Sequence, residues 1–435
     1  MMVPAQLYQL PSGIPFNLEL YRLVVLITLA FWFISMLINP ELKRVKSGMD
    51  STLIAFGLVV LVSFLVNFPD LIKADNASAE FKALLIVAAY LLMYAFVVST
   101  HLSRGSIDKS LKFIVVLAAI LGIFGLIERM TLFNVFRHLH EFIPVLRANN
   151  SPYWDIMMRG ELRASGSVSH PIAFGMLLAL VMPFGYYYAT TAKEWRSKLF
   201  YALCFCLIII GSMTSLSRTT FVVLIAAGLV LFIGRPKERV RLTLAGLMMA
   251  VVIHFALPGA LGTIQTYLSP KYLASNEIGN NNGRVSDYPI VWSKFQQKPF
   301  IGGGFASFRP AAFIFLDNQY LGVSLDLGLL GLISFICIFI VSLVKLVRAW
   351  MRASNTDRNL IASFAASIVI FMVGSATYDT LGFPQPTFLF FLLLALAFAH
   401  VNMTQEEPLI QKEASLGRLH YSSKNSVLSL NPQGQ

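Results

Sequence analysis

Charge is what this sequence has least of. Only 13% of its 435 residues are Asp, Glu, Lys or Arg, about half the ~25% of an ordinary soluble chain. Apolar stretches of roughly 20 residues fill the gap, the length that a bilayer demands. A water-soluble domain is thereby excluded. So is a transmembrane barrel, whose segments are short and alternate in character; the runs here are long and continuously apolar. At membrane depth each backbone polar group must find a partner inside the protein, so the spans are helices.

Cysteine is nearly missing as well. Cys204, Cys206 and Cys337 all fall within apolar runs, which reads as small buried hydrophobes and implies neither a disulfide framework nor a metal site. The first apolar run begins near Leu18 with no charged leader before it, so no cleavable signal peptide is expected. There is no HExxH, no GxSxG, no phosphate-binding P-loop, and no Asp-x-Asp or Asp-Asp to hold a metal on a nucleotide diphosphate. The inner loops are too short to form the soluble domain of a nucleotide-sugar enzyme. Internal repeats are absent.

What is present is a chain of apolar spans, and we expect an all-α polytopic membrane protein with about eleven. They fall near 18–38, 51–69, 83–100, 111–130, 169–190, 199–214, 219–234, 242–257, 317–344, 360–377 and 386–401. Pro40 and Pro69 stand just after spans and Pro258 at the end of another, as helix stops do. Residues 1–401 read as one transmembrane domain. Residues 402–435, rich in Ser, Gln and Asn, read as a disordered tail.

The net charge of +12 invites a nucleic-acid reading, but the cations lie in short loops between every second span. These loops carry Lys43, Arg44 and Lys46; Arg104, Lys109 and Lys112; Lys193, Arg196 and Lys198; Arg235, Lys237, Arg239 and Arg241; and Lys345, Arg348, Arg352 and Arg358. That is the positive-inside signature. It places those loops and the C-terminus in the cytoplasm and the N-terminus outside. No nucleic-acid partner is implied.

Two outer segments, 131–168 and 258–316, are too long for simple connectors. They hold cations that topology does not need, among them Arg137, Arg147, Arg163, Lys298, Arg284 and Arg309. An anionic partner would account for them; so would the indifference of long translocated loops to charge. Aromatic residues and an apolar rhythm in 258–316 suggest short helices packed on the membrane face, with turns at Asn280-Asn281-Asn282-Gly283 and Gly302-Gly303-Gly304.

Five places carry candidate chemistry. Arg218 interrupts an otherwise apolar hairpin among hydroxyls, in Thr214-Ser215-Leu216-Ser217-Arg218-Thr219-Thr220. A cation there is costly unless paired or hydrated, which marks a functional site; a snorkelling arginine is the plainer reading. If the turn continues as helix, Thr214, Ser215 and Arg218 share a face. Arg284 follows Asn-Asn-Gly and precedes Tyr288, Trp292 and Phe295 at helical spacing, a natural anion site at a helix start. Asp317 stands at the start of the span 317–344, as N-cap, as base near the outer lip, or as both. Asp326 lies deeper in the same helix and needs a partner that the sequence does not name. Arg163-Ala-Ser-Gly-Ser-Val-Ser-His170-Pro171 leads into the span 169–190, with Pro171 suited to an early helical position. His170 is either ligand-facing or structural.

These pieces resemble the O-antigen ligase and polysaccharide polymerase superfamily of bacterial inner-membrane glycosyltransferases. The resemblance rests on Arg163-Ala-Ser-Gly with His170-Pro171 and Gly175, and on Leu216-Ser217-Arg218-Thr219. It also rests on Gly283-Arg284 with Trp292, Pro299 and Gly302-Gly303-Gly304-Phe305, and on Asp317-Asn318-Gln319-Tyr320-Leu321 closed by Gly328-Leu329-Leu330-Gly331. It covers about residues 160–331. It implies a GT-C-like fold in the inner membrane and transfer of glycans from an undecaprenyl-diphosphate lipid on the periplasmic face, without cofactor, metal or nucleotide.

The resemblance would place Arg218 and Arg284 on the lipid diphosphate, with Arg163 and His170 beside them. Asp317 would be the base for the acceptor hydroxyl, and Asn318, Tyr320 and Arg309 possible acceptor contacts. Ligases acting on lipid A-core typically have His where Asp317 stands, so Asp-Asn resembles the polymerase side, which builds an exopolysaccharide or O-antigen. Its partners would be the lipid-linked donor, a glycan acceptor (lipid A-core for a ligase), membrane lipids and a chain-length regulator protein. The other classes are a ligase of the same superfamily and a polysaccharide transporter or flippase. A transporter would show paired halves and broken midplane helices.

Overall fold

The computed structural model describes residues 1–4, 6–10, 18–38, 47–73, 77–100, 103–148, 157–158, 161–256, 287–307 and 316–404. The architecture is all-α. Among the described residues nine helices are long and apolar enough to cross a membrane, and a bent pair makes a tenth. The chain is a multi-pass membrane protein.

The helices are α1 Leu20–Ile38, α2 Asp50–Lys73, α3 Ala77–Ser99, α4 Arg104–Thr131, the short α5 Leu139–Phe142, α6 Pro171–Ala179, α7 Met182–Thr191, α8 Trp195–Met213, α9 Arg218–Gly234 and α10 Arg239–Ala256. They continue with α11 Asp287–Phe295, α12 Gln319–Arg352, α13 Asn355–Gly374 and α14 Pro384–Thr404. Nine of the eleven expected spans are helical runs of spanning length among the described residues; the remaining two, 219–234 and 242–257, form the bent pair. Arg218–Gly234 and Pro236–Met248 pass as a span only together, and the chain bends by 108° between them.

Pro69 corrects another expectation: α2 runs through it to Lys73 instead of stopping before it. Pro40, Pro258, the turn at 280–283 and most of the tail lie outside the described residues. Small sheets, unforeseen from the sequence, add to the helices. Tyr8–Leu10 (β1) pairs antiparallel with Leu18–Glu19 (β2) and Arg147–Ala148 (β3). Met157–Met158 (β4) pairs with Glu161–Leu162 (β5).

The segment expected at 169–190 is the central span, with 89% of its apolar window buried. It is two helices, α6 and α7, broken at Leu180–Val181. Pro183 has no N–H to continue the ladder. Carbonyls at this break find donors on α13: Ser367 Oγ donates to Leu180 O at 2.7 Å and Ser363 Oγ to Pro183 O at 3.2 Å. Without them the break would leave bare carbonyls in an apolar interior.

The two ends of the bundle differ. One gathers the basic loops. There Arg235, 1% exposed, donates to Thr190 Oγ1, Glu238 Oε2, Asn359 O and Ser363 Oγ and faces the Tyr186 and Tyr187 rings. Asp357 takes Arg104 and His400, each at 3.3 Å.

At the other end, α12 is interrupted at Gly328, whose φ of 65° and ψ of −160° are not helical. The stretch 299–304 pairs with this interruption like a short strand. Leu329 N donates to Pro299 O, Leu330 N to Phe300 O, Gly303 N to Leu325 O and Gly304 N to Asp326 O. Gly302 is required twice, by its φ of +72° and because a Cβ would sit 2.4 Å from the Asp326 carbonyl and Leu327 N. From α2, Ser63 Oγ donates to Ile301 O and Asn67 Nδ2 to Gly302 O. From α11, Val291 and Phe295 pack on Leu325.

Gly302→Ala is expected to destabilise by more than about 2 kcal/mol, combining left-handed strain with a backbone clash. Gly228→Ala, where a Cβ meets nothing within 4 Å, serves as the neutral comparison. Thermal unfolding of the two variants in one lipid environment measures the difference.

Candidate functional site

The end opposite the basic loops brings four of the sequence candidates together. Arg163 opens a loop, 163–170, that lies inside the bundle: Ala164, Ser165 and Ser167 are fully buried and Arg163 is 8% exposed. So much polar backbone can be buried only if it is paired. Glu128, near the end of α4, holds the loop's first turn. Its carboxylate accepts from Ser165 N at 3.1 Å, Ser165 Oγ at 3.3 Å and Gly166 N at 2.7 Å. Asn134 Nδ2 donates to Gly166 O, and Arg137 Nη2 to Ser165 Oγ. The sequence signal for Glu128 is a lone acid inside an apolar span.

The loop joins the Thr214–Ser217 turn directly. Arg163 Nε donates to Ser215 O at 2.9 Å and Ala164 N to Thr214 O at 3.1 Å. The turn does not continue as helix. α8 ends at Met213, Leu216 takes a φ of 45°, and α9 begins at Arg218. Thr214, Ser215 and Arg218 therefore share no helix face. The two hydroxyls turn back onto Gly211 O and Ser212 O. Arg218, half-buried, occupies the first turn of α9, and the preceding Ser217 side chain makes no cap bond.

His170 caps α6: its Nδ1 accepts from Ile172 N at 3.2 Å, so the ring proton sits on Nε2. Burial, helped by the charge of Arg163, lowers its pKa to about 4. The imidazole is neutral at physiological pH. Its ring lies 5.7 Å from that of Phe383, in the loop between α13 and α14. The next residues of α6 tie three elements together. A Cβ on Gly175 would meet Thr220 Oγ1 at 2.1 Å, and one on Gly374 would meet Met176 Cε at 2.5 Å. The start of α9 and the end of α13 thus lie against adjacent residues of α6.

The end of α13 carries the start of α12. Gln319 N donates to Ser375 O at 2.8 Å, and Gln319 Oε1 accepts from Leu381 N at 2.7 Å. The N-cap of α12 is Asn318, whose Oδ1 accepts from Tyr320 N and Leu321 N. Asp317 is not the cap; it precedes it, half-buried. Tyr320 turns inward, its hydroxyl donating to Met372 O at 2.7 Å. Asp326, whose partner the sequence left open, accepts from Ala306 N at 2.9 Å through Oδ2. Arg284 and Arg309 lie outside the described residues. Gln319 entered the sequence reading only as part of a motif, and Gln385 not at all. Gln385 Nε2 ties Val3 O to Ser167 O, and no local pattern announces such long-range bonds.

One end of the bundle therefore presents a cation at a helix start (Arg218), a second cation bonded to the same turn (Arg163), a neutral imidazole and a carboxylate ahead of the α12 cap. A cation at a helix start is suited to an anionic group, and a carboxylate to accepting a proton. Residues 202–336, from α8 into α12, match the family model described as O-antigen ligase. No curated protein matches the chain.

The lowered pKa of His170 has a consequence for stability. In the unfolded chain the imidazole titrates near its ordinary 6.5, whereas folded it titrates near 4. Between these values the unfolded state binds more protons, so acidification costs stability across this window and has no effect through His170 above it. His170→Asn keeps an N-cap acceptor but cannot titrate. The unfolding temperatures of wild type and His170→Asn are expected to run parallel above pH 6.5 and to diverge below it, with wild type falling faster until about pH 4.

Proposed function

We propose that this protein polymerises lipid-linked oligosaccharide repeats as a member of the O-antigen ligase and polysaccharide polymerase superfamily of glycosyltransferases, a reading supported by the match of residues 202–336 to the O-antigen ligase family model. The donor is an undecaprenyl-diphosphate-linked glycan. The acceptor is a second lipid-linked repeat, and the product is an exopolysaccharide or O-antigen. The site faces the periplasm and the basic end faces the cytoplasm, which follows from the distribution of Lys and Arg. The membrane is the bacterial inner membrane.

An acceptor hydroxyl attacks the anomeric carbon of the donor. The new C–O bond forms as the bond to the diphosphate breaks, and the electron pair leaves with the diphosphate. Asp317 takes the hydroxyl proton and returns it to solvent. Arg218, assisted by Arg284, holds the diphosphate oxygens as charge develops, because a guanidinium fork matches phosphate geometry. Arg163 supports the turn that carries Arg218, and neutral His170 lines the mouth without adding charge. Asn318 and Tyr320, engaged in the cap and on Met372 O, position Asp317. Arg309 is the remaining cation for the acceptor side. The reaction as written uses no metal and no nucleotide.

The observation that carries this reading is Arg218 at the start of α9, bonded through its turn to the buried Arg163 loop and joined through α13 to the start of α12. Asp317-Asn318, rather than His-Asn, favours polymerase over ligase. The match to an O-antigen ligase model favours the second reading, transfer of a finished glycan to lipid A-core.

Purified protein incubated with undecaprenyl-diphosphate-linked repeats alone is expected to yield a ladder of lengthened lipid-linked glycan. Arg218→Ala is expected to slow its formation by about 10²-fold or more, and Asp317→Asn to slow it with donor binding retained. Transfer seen only after lipid A-core is added would make the protein a ligase. No transfer to either acceptor would end the reading.

A further inference from the structure

Where the 299–304 strand meets α12, a second group of ionisable residues lies apart from the site above. Glu80, in the first turn of α3, is 1% exposed, and neither of its carboxylate oxygens has a hydrogen-bond partner. Both face Gly304: a Cβ there would lie 2.3 Å from Oε2 and 2.8 Å from Oε1. Asp326, 4% exposed, is close enough to act on Glu80 electrostatically, while its Oδ2 accepts from Ala306 N. The cation that Glu80 senses is Lys298. That ammonium is engaged elsewhere, with Asn67 Oδ1 at 2.6 Å and Asp70 Oδ2 at 2.8 Å.

A buried carboxyl group without partners is among the most costly features a protein can hold. Protonation alone does not remove the problem here. A neutral carboxyl carries an O–H that still needs an acceptor, and neither Glu80 oxygen makes a hydrogen bond. A cation satisfies both oxygens at once and offsets the mutual repulsion of Glu80 and Asp326. Glycine at 304 leaves the carboxylate face uncovered.

We propose that Glu80, Asp326 and the Gly304–Ala306 turn bind a hard divalent cation of the calcium type, which fastens the inserted strand to α3 and α12. Two carboxylates meet here rather than three; among the described residues no larger acidic or imidazole group converges. The remaining ligands are then backbone carbonyls and water, as calcium accepts. The cation is structural and takes no part in glycan transfer, so its presence is separable from the reaction proposed above.

The test is equilibrium dialysis of the full-length protein, in nanodiscs of zwitterionic lipid and stripped with chelator, against radioactive calcium. One saturable site is expected on the wild type. It should persist in Asp70→Asn, which removes an exposed neighbouring acid, and vanish in Glu80→Gln. Calcium chloride should raise the thermal unfolding midpoint of the wild type and leave that of Glu80→Gln unchanged. Should Glu80→Gln fail to fold, Glu80→Asp keeps the charge but withdraws it by one methylene, and is expected to weaken binding at least about tenfold. No saturable calcium on the wild type, or binding undiminished in whichever Glu80 variant folds, would overturn the proposal.

Discussion

A polar loop can lie inside an apolar bundle only if its backbone donors and acceptors are taken up, and at the 163–170 loop one carboxylate takes up two consecutive amides. Glu128 reaches from α4 to two consecutive N–H groups and a hydroxyl. The loop in turn holds Arg163, Arg163 holds the Thr214–Ser217 turn, and that turn sets where α9 and Arg218 begin. Removing any one link would leave buried polar groups unpaired, each at a cost of about 1–3 kcal/mol. The geometry of the candidate site is in this sense the geometry of a satisfied backbone.

The same rule explains the irregular pieces elsewhere. The broken central helix is completed by serines from α13. The broken α12 is completed by the chain's own 299–304 stretch. In water, solvent would serve these carbonyls and amides. Inside a bilayer only the protein can, so each break is answered by a named group on a neighbouring element.

The features legible in the sequence were those that hydropathy and local chemistry encode. Long apolar runs located most of the spans. Pro171 marked the start of α6 and the triple glycine marked a turn, because these residues act through their own φ. Arg218 stood out because a cation in an apolar hairpin needs a reason. Features set by distant partners were not legible. Nothing near Asp317 says that Asn318 is the cap, since both residue types cap well. Nothing near Gln319 announces that its amide will meet Leu381, or near Glu128 that a loop thirty-odd residues on will fold over it. The 108° bend after Gly234 was hidden for a similar reason: hydropathy measures length and polarity, not direction.

The break at Leu180 leaves α6 as a rigid rod of nine residues, about 13 Å long by helical rise. It is jointed to α7 at one end and carries His170 at the other. Along its side Gly175 abuts Thr220 and Met176 abuts Gly374. Any tilt about the Leu180 joint must therefore shift the imidazole, the first turn of α9 and the end of α13 together. The mouth of the site is thus built on a single strut, seated on the Ser367 and Ser363 hydroxyls.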